Sequence, residues 1–479
     1  MLSFDEYAQL DGTALAEMIR RRDVSAREVR DVALAAIARF NPKLNAVLEV
    51  LDDASAADVA ALQADAPFAG VPFLIKELVL HARGAPNRMG SRLAAGVSFP
   101  TDTELMARFR RAGLVTVGTT QTPEFGYCGT TEPVAFGPAH NPWRLGHSPG
   151  GSSGGSGAAV GARIVPIAHA NDGGGSIRIP ASSNGLVGLK PTRDRIPTGP
   201  DSSDPLFGHA IEFVVTRSVR DTAAMLDAVA GPDVGAPASI APVEGSFLAQ
   251  SKRAPGRLRV ACMTQSPFGA PLHAECADSM RGTRTLLKDL GHEVVDATLS
   301  FGWDEFTKHV HVIWCVGTAA AIEGVAQATG RTPSLDNLES ATLACYEAGR
   351  RMSGFDVAHA MAYFNVVSRT VGAYFQGIDV LLSPTSAQPP PRHGVVDQNA
   401  PGIDAMTWTR RTFEWFPFTP LFNATGQPAI SLPLHWSKDG LPMGSQFVGR
   451  FGDEATLLQL ATQIEGAAPW AERFPALLG

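Results

Sequence analysis

The sequence has few cysteines, no long block of one charge and no long apolar run. Its five cysteines are scattered and never stand in C-x-x-C spacing, which argues against a disulfide framework or a zinc site. The longest basic block is Arg20-Arg21-Arg22 and the formal net charge is −7, so we expect no nucleic acid partner. No uninterrupted apolar run approaches the roughly 20 residues of a membrane span, and we expect no membrane association.

The remaining composition is that of an ordinary globular protein. The chain has 479 residues, of which 44% are hydrophobic and 18% are charged, enough for one large domain or about two to three smaller ones. It starts with M-L-S-F-D-E-Y, which places acids where a secretory signal peptide needs apolar residues. We therefore expect a cytoplasmic protein.

Residues 1–66 are predicted to be helical. Ser25 and Glu28 form a capping box, and apolar residues at helical spacing follow them. Pro42 is expected to end that helix.

From Gly70 onward, short apolar runs alternate with helical patterns, which predicts an α/β fold built around a mixed sheet. Predicted strands span Val71–Ile75, Leu114–Val117, Ile164–Ala168, Arg257–Ala261, Glu293–Val295, Val380–Ser383, Ala429–Leu434 and Gln446–Val448. Predicted helices span Asp102–Ala112, His273–Leu290 and a last segment that Asp453 caps and that runs to Ile464.

Two glycine–serine clusters carry the chemical signal. In the second cluster, Gly173, Gly174 and Gly175 directly precede Ser176. Successive glycine amides can point into one concavity, which would bind the oxyanion formed when a serine attacks an acyl carbon. Taken alone, this pentapeptide from Asp172 is more typical of a glycine-rich turn.

The first cluster, S-P-G-G-S-S-G-G-S-G from Ser148, fits neither of two common motifs. It lacks the lysine of a phosphate-binding loop, and it is not the G-x-S-x-G of an α/β-hydrolase. Since no histidine is marked as a base, the candidate base is Lys76, which closes an apolar strand. Burial there would lower its pKa and let it accept a proton, although a lysine at a strand end is usually a surface residue.

Together these residues resemble the amidase signature family. The resemblance is densest over residues 70–197, in G-G-S-S-G-G-S from Gly150 and N-D-G-G-G-S-I-R-I-P-A-S-S-N-G-L-V-G-L-K-P-T from Asn171. It returns in D-V-L-L-S-P-T from Asp379 and in the C-terminal N-A-T-G-Q-P-A-I-S-L-P. It implies a central mixed β-sheet covered by helices on both faces, with an amidase signature domain over 67–479 and the helical segment 1–66 packed on it.

The resemblance also implies a mechanism. Ser176 is expected to form the acyl-enzyme, Ser152, after a cis peptide bond, to relay the proton, and Lys76 to act as the base. The amides of Gly173–Ser176 would form the oxyanion hole. Such a reaction needs no metal and no cofactor, and none is expected.

Three departures from the family pattern stand out. Glu77 follows the lysine where the family usually has aspartate, and Gly173 replaces a residue with a side chain. The stretch A-H-A-N-D before Gly173 replaces the usual L-G-T-D. This variant resembles the branch that contains the hydrolases of 6-aminohexanoate cyclic dimers.

The expected substrate is a small-molecule amide that is apolar, aryl, or a cyclic or linear oligomer. Tyr127, Cys128, Gly129 and Cys315 are candidate substrate contacts, although core packing explains each equally well. Three alternatives stay open: a carbamate or ester hydrolase with the same triad, the glutaminase subunit of a tRNA-dependent amidotransferase, and a binding protein without activity. The intact triad disfavours the last, and a homodimer is left open.

Overall fold

The structure is a computed structural model and describes residues 2–269, 271–297, 299, 301–475 and 477. Its strands are β1 Val47–Val50, β2 Val71–Lys76, β3 Leu114–Thr120, β4 Ile167–Asp172, β5 Val187–Lys190, β6 Ile211–Thr216, β7 Arg259–Cys262, β8 Glu293–Asp296, β9 Val380–Pro384, β10 Ala429–Trp436 and β11 Pro442–Val448.

The helices flank the sheet that these strands form. They are α1 Phe4–Gln9, α2 Gly12–Arg20, α3 Ala26–Leu44, α4 Asp52–Ala60, α5 Glu104–Arg111, α6 Gly154–Gly161, α7 Arg178–Asn184, α8 Val219–Val229, α9 Phe247–Ser251, α10 Ala274–Asp289, α11 Trp303–Thr329, α12 Ser340–Arg351, α13 Gly354–Tyr374, α14 Ala405–Trp415, α15 Pro420–Thr425 and α16 Glu454–Ala467.

Within the described residues, the strands form one mixed sheet in the order β1-β3-β2-β4-β6-β5-β10-β11-β9-β7-β8. Strand β2 pairs in parallel with β3 and with β4, and the middle of the sheet from β4 to β9 is antiparallel. The predicted α/β fold with a mixed sheet is confirmed. Because β2 and β4 are parallel neighbours, their carboxyl ends meet at the same edge of the sheet.

The N-terminal segment differs from the prediction in two ways. Ser25 caps α3 in a capping box as predicted, but the helix passes through Pro42 and continues to Leu44. Pro42 lies in the last turn, and the chain leaves the helix at Asn45, whose φ is +48°. Residues 47–50 are not helical: they form β1, which pairs antiparallel with β3. We therefore propose that residues 1–66 fold as one unit with residues 67–479.

The other predicted elements are found with small shifts, and β4 shifts most. The apolar run Ile164–Ala168 predicts a strand, but the observed strand spans Ile167–Asp172. It extends four residues past Ala168, and three of those four are polar. Strands β5 and β6 were not predicted. The two glycine–serine clusters are not simple loops, because they lead into α6 and α7.

Helix α11 is apolar and long. By length and composition alone it could cross a membrane, but 56% of its most apolar window is buried inside the protein. Its buried side chains include Phe306, Ile313 and Trp314, which pack in a hydrophobic cluster with residues of α13 and α14 such as Phe364 and Phe413. This environment is typical of a core helix.

Candidate active site

Lys76 is the last residue of β2, and its side chain is completely buried. Its Nζ lies 2.7 Å from Ser152 Oγ, 3.0 Å from Ser153 Oγ and 2.6 Å from Asn171 Oδ1. All three partners come from the two glycine–serine clusters. The structure thus brings the predicted base and the predicted relay serine into direct contact at the carboxyl ends of β2 and β4.

The burial of Lys76 favours its neutral form. Burial lowers the pKa of its amine well below that of an ordinary lysine, and the negative charges of Glu212 and Asp172 oppose this shift only in part. A neutral amine has two N–H donors and one lone pair. Asn171 Oδ1 can only accept, and the orientation of that amide is fixed because its Nδ2 donates to Leu78 O at 2.9 Å.

These donors and acceptors determine the direction of the third contact. Ser153 Oγ donates to Asn171 O at 3.2 Å, so it accepts the second proton of neutral Lys76. With both protons so placed, the lone pair of a neutral Lys76 would face Ser152 Oγ, 2.7 Å away, and could accept its proton. Asn171 and Ser153 therefore orient the amine so that it can take a proton from Ser152.

Ser152 lies in a tight loop that leads into α6. The peptide bond between Gly151 and Ser152 is cis, as the family resemblance implies. A Cβ atom at Gly151 would lie only 2.5 Å from Thr130 O, and one at Gly126 would lie 3.2 Å from Ser152 Oγ. Residues 126–130 therefore border Ser152.

Asp172 and Arg178 form a buried ion pair next to the turn of Gly173, Gly174 and Gly175, which we call the triglycine turn. Arg178 Nε lies 2.9 Å from Asp172 Oδ2, and its Nη2 lies 2.8 Å from Oδ1. Burial alone would raise the pKa of the carboxyl group, but the charge and hydrogen bonds of Arg178 outweigh it and hold the pKa well below its usual range. The carboxylate also accepts the N–H groups of Gly175 at 2.6 Å and Ile177 at 3.1 Å. Ser176 lies between these two residues and is fixed by them.

At Gly175, one of the four residues predicted for the oxyanion hole, the amide already has an acceptor. Its N–H already donates to Asp172, so it is not free to bind a second anion. Gly175 is needed for its backbone shape instead, because its φ of +136° favours glycine. In the part of the chain that the structure describes, the amides of Gly173, Gly174 and Ser176 donate to no protein acceptor and stay candidates for the hole.

Ser176 is partly exposed. Among the described residues its hydroxyl makes no hydrogen bond, so the structure does not join it to Ser152. Catalytic hydrogen bonds are often long or absent before substrate binds and tighten in the complex. The contact between the two serines therefore stays a prediction.

Two side chains from distant elements support the triglycine turn. Thr419 Oγ1 donates to Gly174 O at 2.6 Å. Trp314 of α11 lies against Gly174, where a Cβ atom would be 2.6 Å from the indole ring. The indole in turn contacts Tyr127 and Phe413 edge to face, with ring centroids 5.8 and 5.5 Å apart. Aromatic rings therefore form one wall beside the turn.

The four residues predicted as substrate contacts lie near this wall, but all four are buried. Tyr127 is 8% exposed and Cys128 is 5% exposed, and burial raises the pKa of the Cys128 thiol to about 12. A Cβ atom at Gly129 would lie 2.1 Å from the Phe416 ring. Cys315 Sγ is 3.3 Å from Cys345 Sγ in the core. These environments are typical of packing, and substrate contact stays a prediction for all four.

Glu77, one of the three departures from the family pattern, has well-defined partners. Its carboxylate accepts Arg88 Nη2 at 2.6 Å and Arg88 Nε at 2.9 Å, and Thr119 Oγ1 donates to it at 2.6 Å. The charge of Glu77 is thus used in a structural ion pair next to Lys76. A shorter aspartate would reach Arg88 less well.

Sequence reasoning missed Asn171, Asp172 and Arg178 as site residues. All three belong to the motif that carries the family resemblance, and a signal was available there. Asn171 and Asp172 end a strand that must be buried next to β2, and buried polar groups need partners. Their position beside the predicted nucleophile could have indicated a supporting role.

A search of the described residues finds no group of three or more histidine, cysteine, aspartate or glutamate side chains that could hold a metal ion. The described hydrogen bonds of the Lys76 amine are with two hydroxyl groups and one amide oxygen.

Comparison with known proteins agrees with this arrangement. The amidase family model matches residues 28–458. The chain is 40% identical over 480 aligned residues to 6-aminohexanoate-cyclic-dimer hydrolase of Paenarthrobacter ureafaciens, covering 98% of this chain and 97% of the relative. The fold matches a structure of 6-aminohexanoate cyclic dimer hydrolase complexed with substrate, with TM-score 0.93, 37% identity and coverage of 98% and 100%. It also matches a bacterial aryl acylamidase of the amidase signature family, with TM-score 0.87, 25% identity and coverage of 98% and 99%.

Proposed function

Since this chain belongs to the amidase family and hydrolyses amide C–N bonds, we propose that Ser176 is its nucleophile, Ser152 its proton relay and Lys76 its base. One observation carries the proposal. The fully buried amine of Lys76 lies within hydrogen-bond distance of Asn171 Oδ1, Ser153 Oγ and Ser152 Oγ, at 2.6, 3.0 and 2.7 Å. A buried neutral lysine next to a hydroxyl is a suitable general base.

The reaction then follows from proton positions. Lys76 takes the proton of Ser152 as Ser152 takes that of Ser176, and Ser176 Oγ bonds to the amide carbon. The proton returns through Ser152 to the nitrogen when the C–N bond breaks and the amine leaves. A water molecule next gives a proton to the same relay and attacks the acyl-enzyme, which releases the acid and restores the Ser176 hydroxyl.

The amides of Gly173, Gly174 and Ser176 are proposed to stabilise the oxyanion of both tetrahedral intermediates. The support is their orientation by Asp172, which binds the two flanking amides of Gly175 and Ile177. Donors that are fixed before the reaction need no reorganisation when charge develops.

The proposed substrate is a small apolar, aryl, or cyclic or linear oligomeric amide, and 6-aminohexanoate oligomers are the first to test. Two features support this choice. The chain is similar over nearly its full length to a 6-aminohexanoate-cyclic-dimer hydrolase, and the indole of Trp314 provides an apolar surface beside Gly174.

We also propose that the enzyme is cytoplasmic and acts without nucleic acid or membrane partners; its net charge of −7 supports the absence of a nucleic acid partner. Sedimentation velocity would show whether it forms the homodimer left open by the sequence.

The test is a substrate panel with matched variants. The panel contains cyclic and linear 6-aminohexanoate dimers, aryl anilides, glutamine and other primary amides, carbamates and esters. We expect the highest kcat/KM on an oligomeric or aryl amide, no turnover by Ser176→Ala, and wild-type turnover by the control Ser340→Ala at the start of α12. Hydroxylamine should divert part of the product to a hydroxamate, because it competes with water for the acyl-enzyme. Wild-type turnover by Ser176→Ala would refute the proposal.

A further inference from the structure

Leu206 and Phe207 adopt a backbone conformation that residues other than glycine rarely take. Their φ angles are +50° and +53°, in the left-handed region. Such conformations persist where surrounding contacts hold them, and they are concentrated at functional sites. Here Arg193 fixes the next residue, because its Nε donates to Gly208 O at 2.6 Å. The position of the Leu206 side chain is therefore set by the fold.

That side chain fills the space between the triglycine turn and α11. A Cβ atom at Gly173 would lie 3.0 Å from Leu206 Cδ1, and a Cβ atom at Gly317 would lie 2.3 Å from Leu206 Cδ2. Gly317 is inside α11, where glycine weakens a helix relative to alanine. The close approach of Leu206 explains why glycine is needed there.

Trp314 precedes Gly317 by one helical turn and lies on the same face of α11. Trp314 contacts Gly174, and Leu206, seated on Gly317, contacts Gly173. The two side chains thus border consecutive residues of the turn. Leu206 is only partly buried, so part of its apolar surface stays available for contact.

We propose that Leu206 determines which substrates fit, by limiting the size of the apolar group that can lie beside Gly173. Because residue 317 has no side chain, Leu206 can pack against α11 and stay out of that space. Trp314 forms the neighbouring wall. The selected group is a methylene chain or a ring, because both walls are apolar. This inference rests on the proposed function, since it requires the triglycine turn to bind the substrate carbonyl.

The test compares size series of substrates. In one series of anilides the acyl group grows from acetyl to hexanoyl to cyclohexanecarbonyl, and in a second series of acetamides the amine grows from methylamine to benzylamine. Leu206→Ala should raise the ratio of kcat/KM for large over small substrates by about 10-fold or more in one series, since even one methylene group in an apolar pocket is worth about that factor. The series that responds identifies which side of the scissile bond Leu206 contacts. An unchanged ratio in both series would overturn the inference.

A double-mutant cycle separates a specificity role from a structural one. Gly317→Ala should push Leu206 toward Gly173 and lower the same ratio, mainly through KM for the large substrates. In the Leu206→Ala background, Gly317→Ala should change the ratio less than about 2-fold, because the colliding methyl groups are gone. Equal effects of Gly317→Ala in both backgrounds would contradict the inference.

Further variants complete the design. Leu206→Val should give an intermediate ratio and serves if Leu206→Ala does not fold, and Leu335→Ala, at a 62% exposed leucine, should leave the ratio unchanged. Ser176→Ala distinguishes a failure of the proposed function from a failure of this inference. If it is active, the proposed function fails; if it is inactive while the ratio is insensitive to Leu206, only this inference fails.

Discussion

Trp314 lies so close to Gly174 that a Cβ atom at position 174 would stand 2.6 Å from its indole ring. The two residues are far apart in the sequence, yet neither the indole nor the triglycine turn can move without displacing the other. Thr419 holds the turn from a third direction, through its hydrogen bond to Gly174 O at 2.6 Å.

Gly174→Ala should lower kcat/KM by about 100-fold or more, because the new methyl group must displace Trp314 or move the 174 amide, and loss of one oxyanion donor costs about that factor. Gly173→Ala is the matched control. Its Cβ atom would meet the end of the Leu206 side chain at 3.0 Å and Ala210 Cβ at an ordinary 3.7 Å, so we expect a smaller loss. Trp314→Ala should partly restore kcat in Gly174→Ala. Equal losses in the two glycine variants would show that the indole does not limit this position.

The pKa of Lys76 predicts an acidic limb in the pH dependence of activity. Only the neutral amine can take a proton, so kcat/KM should rise with pH through the lowered pKa of Lys76 and then level off. Lys190 is also completely buried, and burial lowers its pKa too, but its Nζ donates to Pro191 O and makes no hydrogen bond to a hydroxyl of the described residues. Lys190→Met should therefore keep the acidic limb in place, whereas Lys76→Met should leave almost no activity at any pH.

The same burial should appear in the stability of the protein. Below the ordinary lysine pKa of about 10.4, the unfolded chain binds a proton at Lys76 that the folded protein disfavours, so wild-type stability rises with pH through this range. Lys76→Met removes this pH-dependent penalty but also the hydrogen bonds of the amine, so the informative quantity is how its melting temperature relative to wild type changes with pH. That difference should be most favourable to Lys76→Met near neutral pH and should fall toward pH 10. A difference that does not change with pH would speak against the lowered pKa.

Asn171→Asp should shift the acidic limb to higher pH. A carboxylate in place of Asn171 Oδ1, 2.6 Å from Lys76 Nζ, would favour the protonated amine and raise the pKa of Lys76. Asn171→Ala should lower kcat by removing the acceptor that orients the amine, without moving the limb upward. The pH profiles of kcat/KM for the two variants distinguish positioning from charge, and a shared profile would refute the assigned role of Asn171.

Removing Arg178 should affect both stability and catalysis. Arg178→Met leaves Asp172 as a buried, unpaired charge, which costs about 3–5 kcal/mol of unfolding free energy, and it loosens the turn that holds Ser176. Arg195→Met breaks the comparably buried pair Arg195–Glu454 and should be destabilising without a specific loss of kcat in the folded fraction. Urea unfolding and kcat measured on folded protein check both expectations.

Much of the fold could be predicted from sequence because apolar runs and caps are local signals. Strand β2 and the cap of α16 by Asp453 lie where the pattern places them. The predicted bounds of β4 lie too close to the N-terminus because the second half of the strand is polar. Those polar groups are stabilised by long-range contacts such as Asn171 to Lys76. No local pattern reports such contacts.

The site was less predictable than the motif that marks it. The resemblance indicated Lys76, Ser152 and Ser176, but the use of the Gly175 amide by Asp172 depends on a turn geometry that composition does not determine. The position of Trp314 depends on the packing of α11, which lies far away in the sequence.

Helix α6 consists of glycine, serine, alanine and valine, and all its residues are buried. A Cβ atom at Gly155 would lie 2.4 Å from Gln121 N, and one at Gly154 would lie 2.2 Å from Thr131 Oγ1. In laboratory evolution of this enzyme, we therefore expect the positions around the site to differ in how well they tolerate substitution. Libraries that randomise residues 150–157 should yield almost only dead clones, whereas we expect diversity at Leu206 to change substrate preference without disturbing the base and its relay.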